Sequence, residues 1–91
     1  MRQRGVVEAG TAVASTFEIQ AHLDARGLTC PEPVLRTRAI LKNLRPGERV
    51  EVLADDPLAP IDFAAFSHRS GHALKESSKL EGAFRFVIEH K

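Results

Sequence analysis

Phe17, Ile19, Ala21 and Leu23 alternate with Glu18, Gln20 and His22, a period of two that predicts a first strand with one face buried. Asp24-Ala25-Arg26-Gly27 then reads as a turn. After Cys30-Pro31-Glu32-Pro33, the residues Val34, Thr37, Leu41 and Leu44 fall at helical spacing, and Ile40 widens the stripe. Proline is tolerated in a first helical turn because its missing N–H has no partner to lose there. A helix is therefore predicted from about Pro31, stopping before Pro46-Gly47. Arg49 to Ala54 predicts a second strand with Val50 and Val52 on one face, closed by Asp55-Asp56-Pro57. A second helix is expected from Ala59 or Pro60 to about Ser70, burying Ile61, Phe63 or Ala64, Ala65 and Phe66, with Gly71 just past its end. His72 to Ser77 is a weaker third strand. Ala83 to Glu89 is a clear fourth, with Phe84, Phe86 and Ile88 alternating with Arg85, Val87 and Glu89. Ser78 to Gly82 suits a hairpin link between the two.

The order β-α-β-α-β-β predicts an α/β (α+β) two-layer sandwich. Two amphipathic helices would cover one face of a four-stranded mixed sheet, leaving the other to water. Residues 17–91 are read as the single domain. Residues 1–16 carry Gly, Ala, Ser and Thr without periodicity and read as a flexible leader. The leader loosely echoes a signal peptide, but Glu8 and Gly10 break its apolar stretch.

Composition narrows the function classes. Lys plus Arg is 13 and Asp plus Glu is 12, a net charge of +1, which argues against a strongly electrostatic nucleic-acid binder. With no Trp or Tyr, base-stacking platforms built on those rings are absent. No apolar run approaches the roughly 18 residues needed to cross a bilayer. One cysteine excludes an internal disulfide, a CxxC redox pair and any zinc site of two or more thiolates. A single thiol fits a reducing compartment, so a cytoplasmic protein without metal or cofactor is expected.

Cys30 is the candidate for chemistry. A lone cysteine is more often a small buried hydrophobe. This one, however, sits between a turn and the first turn of a helix, where partial positive charge favours an anion and a partner can reach it. Pro31 and Pro33 fix the approach but remove two N–H groups, and Glu32 opposes a second negative charge. The residues alone leave the sign of the thiol's pKa shift open. With Pro33 where CxxC would place a resolving thiol, a covalent species on Cys30 must pass to another molecule. A persulfide, a mixed disulfide and a thioester all fit.

The stretch from Leu23 to Pro57, with GHALKE and the closing AFRFVIEHK, resembles the TusA/SirA-like family of sulfur carrier proteins. The marks are the CPxP motif Cys30-Pro31-Glu32-Pro33 and the preceding turn Asp24-Ala25-Arg26-Gly27-Leu28-Thr29; the similarity spans about residues 17–90. The resemblance implies the two-layer fold. It also implies that Cys30 receives sulfane sulfur as a persulfide, from a cysteine desulfurase or a rhodanese-type enzyme, and relays it to an acceptor protein. In different members of that family the sulfur is destined for tRNA thiolation, molybdenum-cofactor enzymes or sulfur oxidation, and the resemblance implies one of these ends here. Pro31, Glu32 and Pro33 would then shape the loop, and Asp24, Arg26 and Gly27 the adjoining turn. Two departures stand out. Asp55-Asp56-Pro57 replaces a frequent Thr-Asp-Pro, and Ala65-Phe66-Ser67-His68 lacks the second cysteine that some members carry.

Other features carry less. Residues 26–49 hold six cations against two anions, a net +4, whereas residues 50–62 hold four acids and no base. Arg36, Arg38, Lys42 and Arg45 form a candidate docking surface for an acidic partner; a solvated helix face explains them equally well. No phosphate loop or RNA clamp accompanies them, so no direct nucleic-acid or membrane binding is expected. His68 and His72 are expected as solvated surface histidines, and Asp55-Asp56 as a cap or turn rather than a carboxylate dyad. The rival to a carrier is a non-catalytic interaction or regulatory module in which Cys30 is structural or redox-sensing. A small RNA-binding domain is a third reading.

Overall fold

Alternation on the central strand sets the layers. In β2 (Arg49–Ala54), Val50, Val52 and Ala54 are fully buried, while Arg49, Glu51 and Leu53 face the other way. The computed structural model describes residues 18–91. Within them the other elements are β1 (Ala21–Asp24), α1 (Glu32–Leu41), α2 (Ala59–Ser70), β3 (Ala73–Leu80) and β4 (Ala83–Glu89). The expected leader, and Phe17 of the expected first strand, lie outside the described residues.

The sheet runs β1-β2-β4-β3. β1 pairs parallel to β2, and β4 is antiparallel to both its neighbours, so the sheet is mixed as expected. Parallel neighbours need a crossover, and α1 supplies it between β1 and β2. Both helices lie on one face. Leu41 of α1 and Ala59, Phe63 and Phe66 of α2 pack against Val50, Val52, Phe86 and Ile88. The Phe63 and Phe86 rings stack with centroids 4.5 Å apart. Fully burying side chains of this size contributes roughly 1.5–3 kcal/mol each.

Several expectations need correction. Ile61 is 68% exposed. The buried stripe of α2 is Ala59, Phe63 and Phe66, an i, i+4, i+7 spacing that turns Ile61 to solvent. β1 begins at Ala21, and α1 ends at Leu41, where Asn43 N–H bonds the Ile40 carbonyl and Leu44 N–H the Leu41 carbonyl in tighter turns. β3 continues to Leu80, so the hairpin turn is Glu81-Gly82 rather than five residues. A bulge between Leu74 and Glu76 shifts the phase of β3: Leu74 pairs with Ile88 of the core, but Glu76 pairs with Val87 on the open face.

That open face is not simply wet. Val87 is fully buried there, at a register position between Glu51 and Glu76. Arg85 reaches both carboxylates, each at 2.5 Å. Glu51 also meets His22 at 2.8 Å, and Glu89 meets Arg49 at 3.1 Å. Long charged side chains roof the sheet with their stems while their heads pair.

Candidate functional site: the Cys30 loop and its groove

The loop between β1 and α1 is tied at three points. After β1, Ala25 is fully buried and its N–H bonds the Leu53 carbonyl at 2.7 Å, continuing the pairing. Arg26 folds back on Asp24 with three hydrogen bonds, Nε to Oδ1 at 2.9 Å, Nη2 to Oδ2 at 2.8 Å and its backbone N–H to Oδ1 at 3.2 Å. The guanidinium holds the Asp24 carboxyl down at about 2. Gly27, with a φ of +87° that suits glycine, gives its N–H to Asp55 Oδ1 at 3.0 Å. Cys30 gives its N–H to Asp56 Oδ2 at 2.7 Å, and the other Asp56 oxygen accepts the Leu58 N–H at 2.8 Å. Asp56 therefore joins the thiol-bearing loop to the entry of α2 through one side chain. These two backbone hydrogen bonds lower its pKa, that to Leu58 more than that to Cys30.

Cys30 is exposed and free. The Cys30–Pro31 peptide is cis, Pro31 caps α1 without a side-chain bond, and Pro33 is buried in its first turn. The Pro33 carbonyl accepts the buried Thr37 hydroxyl at 2.8 Å, and Glu32 N–H bonds the Thr29 carbonyl at 2.9 Å. The Glu32 side chain pairs with Arg36 one turn on, at 3.5 Å. The sign left open by the residues is now fixed. The thiol is pushed up from its ordinary value, first by a hydrogen bond to the Asp62 carboxylate, then by desolvation and by the charges of Asp62 and Asp56. At neutral pH Cys30 rests as a thiol.

A small cavity of about 180 Å³ opens at the sulfur, lined by Cys30, Pro31, Val34, Asp62, Ala65 and Arg69. Pro31, Val34 and Arg69 also belong to the wall of a larger groove of about 710 Å³ between the helices. Its apolar lining is Val34, Leu35, Leu41 and Phe66. Its polar lining includes Arg38 of α1 and Lys42 at that helix's C-terminal cap, Arg69 of α2, and Lys91, with no acidic residue. The candidate docking residues thus separate. Arg38 and Lys42 line the groove; Arg36 is engaged with Glu32; Arg45 lies past the end of α1, its N–H on Glu48 Oε1 at 2.9 Å.

Asp56 makes the local turn expected of it, accepting the Leu58 N–H, but Asp55 and Asp56 also bond a loop 28 and 26 residues away, which no local pattern announces. Asp62 and Arg69 were missed outright, since nothing in the spacing of α2 announces what crosses from the other helix. His72 is not a solvated histidine. It is half-buried at the end of the groove, its ring 4.7 Å from His90, and its Nδ1 accepts the Lys91 N–H at 3.2 Å. Desolvation, His90 and Lys91 together push its pKa down. His68 is exposed on the last turn of α2. Among the described residues, no helix is long and apolar enough to cross a membrane, and no group of three or more His, Cys, Asp or Glu gathers as a metal site.

The profile of the family described as Sulfurtransferase TusA matches residues 21–90, which takes in both layers and the whole tethered loop. The chain belongs to the TusA family. A sulfur carrier protein TusA from Allochromatium vinosum is 39% identical over 72 residues, covering 79% of this chain and 95% of its own. Another from Pseudomonas aeruginosa is 37% identical over 76 residues, covering 84% and 96%. The crystal structure of a SirA-like protein from Desulfitobacterium hafniense superimposes with a TM-score of 0.68 at 28% identity, over 77% of this chain and 96% of that one. The TusA fold therefore extends across the elements that tether Cys30.

Proposed function

We propose that this chain is a sulfur carrier whose Cys30 accepts sulfane sulfur as a persulfide and relays it to an acceptor protein. The observation that carries the reading is a lone, exposed cysteine in the CPxP loop of a TusA-family domain, its backbone N–H held by Asp56. In the loading step the Cys30 sulfur attacks the outer sulfur of a donor persulfide. A new S–S bond forms at Cys30, the donor's S–S bond breaks, and the donor leaves as a thiolate. In unloading, an acceptor thiolate attacks the outer sulfur and Cys30 leaves. No external oxidant is needed in either step. Asp62, which lines the cavity at the sulfur and contributes most to the raised thiol pKa, is the nearest candidate base for the Cys30 proton during attack. A thiol that rests protonated resists adventitious oxidation, and a high-pKa sulfur is intrinsically the stronger nucleophile once deprotonated.

The donor in this reading is a cysteine desulfurase or a rhodanese-type enzyme. The acceptor is a relay protein of tRNA thiolation, molybdenum-cofactor or sulfur-oxidation chemistry, reached in the cytoplasm, with residues 17–91 as the working domain. Intact mass under non-reducing conditions tests it, after incubation with a cysteine desulfurase and cysteine, or with a rhodanese and thiosulfate. One added sulfur atom, removed by reductant and missing in Cys30→Ala, is the expected result. No adduct from either donor would leave Cys30 a structural or sensing residue of an interaction module.

A further inference from the structure

The groove beside Cys30 has a property that sulfur chemistry alone does not require. Its floor is apolar, its rim is cationic, and it runs from the sulfur along α1. Leu35, 46% exposed, leaves part of that floor open to solvent. From Val34, at the mouth of the sulfur cavity, to Lys42 the helix advances roughly 12 Å at 1.5 Å per residue, which about four residues of extended peptide would span at 3.3 Å each.

We propose that this groove seats an extended, acidic segment of a relay partner, with that segment's cysteine over Cys30 and its carboxylates on Arg38 and Lys42. The inference rests on the carrier reading, which requires a partner thiol at Cys30. Charge complementarity selects an acidic occupant: the groove lining has four Lys or Arg side chains and no acid. The apolar floor selects a peptide over a nucleic acid, because a phosphate backbone would satisfy the rim and leave Val34 and Leu35 uncovered. Geometry fixes the spacing, with acidic residues roughly three to five positions from the partner cysteine and an apolar residue between. Asp62, which lines the cavity at the sulfur and is absent from the groove lining, keeps carboxylates away from the thiol end and so sets the direction of the segment.

The test uses the full chain with Cys30 converted to its mixed disulfide with thionitrobenzoate, whose coloured thiolate is released when a peptide thiolate attacks the Cys30 sulfur. The probes are the peptides Cys-Gly-Leu-Gly-Glu-Glu and Cys-Gly-Leu-Gly-Lys-Lys, with 2-mercaptoethanol as a neutral thiol. At low salt the acidic peptide should react about tenfold faster than the basic one. Arg38→Glu with Lys42→Glu should invert that order once each peptide rate is divided by the variant's own 2-mercaptoethanol rate, which corrects for the effect of the altered charge on any attacking thiolate, and the variant's thermal melt reports that it is folded. Equal rates for the two peptides, or an acidic preference that survives the double substitution, would overturn the proposal. Glutathione persulfide, too small to need the groove, checks the underlying reading separately. No adduct on Cys30 removes the carrier reading, whereas adduct formation without peptide discrimination removes the groove alone.

Discussion

On the open face of the sheet, Glu51 and Glu76 hold one guanidinium, that of Arg85; around Cys30, Asp55 and Asp56 hold the backbone N–H groups of Gly27 and Cys30. The first arrangement consumes its charges internally. Burial pushes Glu51 up, but Arg85 and His22 more than offset it, and Arg85 with Ser78 holds Glu76 below the ordinary carboxylate range. The second arrangement uses carboxylates as struts for a loop, and Asp56 with Asp62 leaves a negative field at the sulfur. The same functional group thus secures the fold in one region and sets the position and protonation of a thiol in the other. Damage in the first should appear as lost stability, and damage in the second as altered sulfur chemistry.

The sharpest way to break this comparison is Asp56→Ala. It releases the Cys30 and Leu58 N–H groups together, and persulfide loading should slow roughly ten- to hundredfold, since misplacement of a reacting atom by about 1 Å can cost that much. Loading at the unaltered rate would show that the strut is dispensable. Arg85→Met should do the reverse. It strands two half-buried carboxylates and should cost roughly 1–2 kcal/mol, a fall in Tm of roughly 5–15 °C, with loading unchanged. Because the folded-state pKa values of Glu51 and Glu76 are depressed, their contribution is present above the unfolded carboxylate range and is lost as pH falls through the folded values. The stability gap between the native protein and Arg85→Met should therefore narrow below about pH 4.3, as urea melts across that range would show. The smallest effect is Asp62→Asn, which removes the largest cause of the raised thiol pKa. The pH profile of iodoacetamide alkylation should move to lower pH and the rate at pH 7 should rise severalfold. An unmoved profile would deny Asp62 its part.

How much of this was legible in the sequence depended on the range of the contacts. β2 was read to its residue bounds because Val50, Val52 and Ala54 repeat with the period of a pleat, and α2 ended as expected at Gly71, whose φ is +86°. β3 was read weakly because its bulge inverts the alternation midway, so no single period fits ALKESSKL. Ile61 misled because Pro60 and Asp62 on either side give no hint of which face turns inward; only the packing of Phe63 on Phe86 decides. The motif cysteine, its prolines and the Asp24–Arg26 turn were visible as a local pattern. Asp55, Asp56, Asp62 and Arg69 were not visible as site residues, because each acts on a loop or cavity more than 25 residues away and no local periodicity encodes such a meeting.

The outer edge of the sheet bears on how such a protein lives at high concentration. β3 presents eight residues with one side of their ladder unpaired, the kind of edge onto which a second copy can add a strand. The bulge interrupts that ladder at Lys75, and Lys75 and Lys79 stand exposed along it, so a second copy arriving at this edge would meet a kink and positive charge like its own. Self-association by strand addition is disfavoured by the same irregularity that turns Glu76 toward Arg85. One extra residue in a strand therefore guards against aggregation and also completes the ion pairs on the open face.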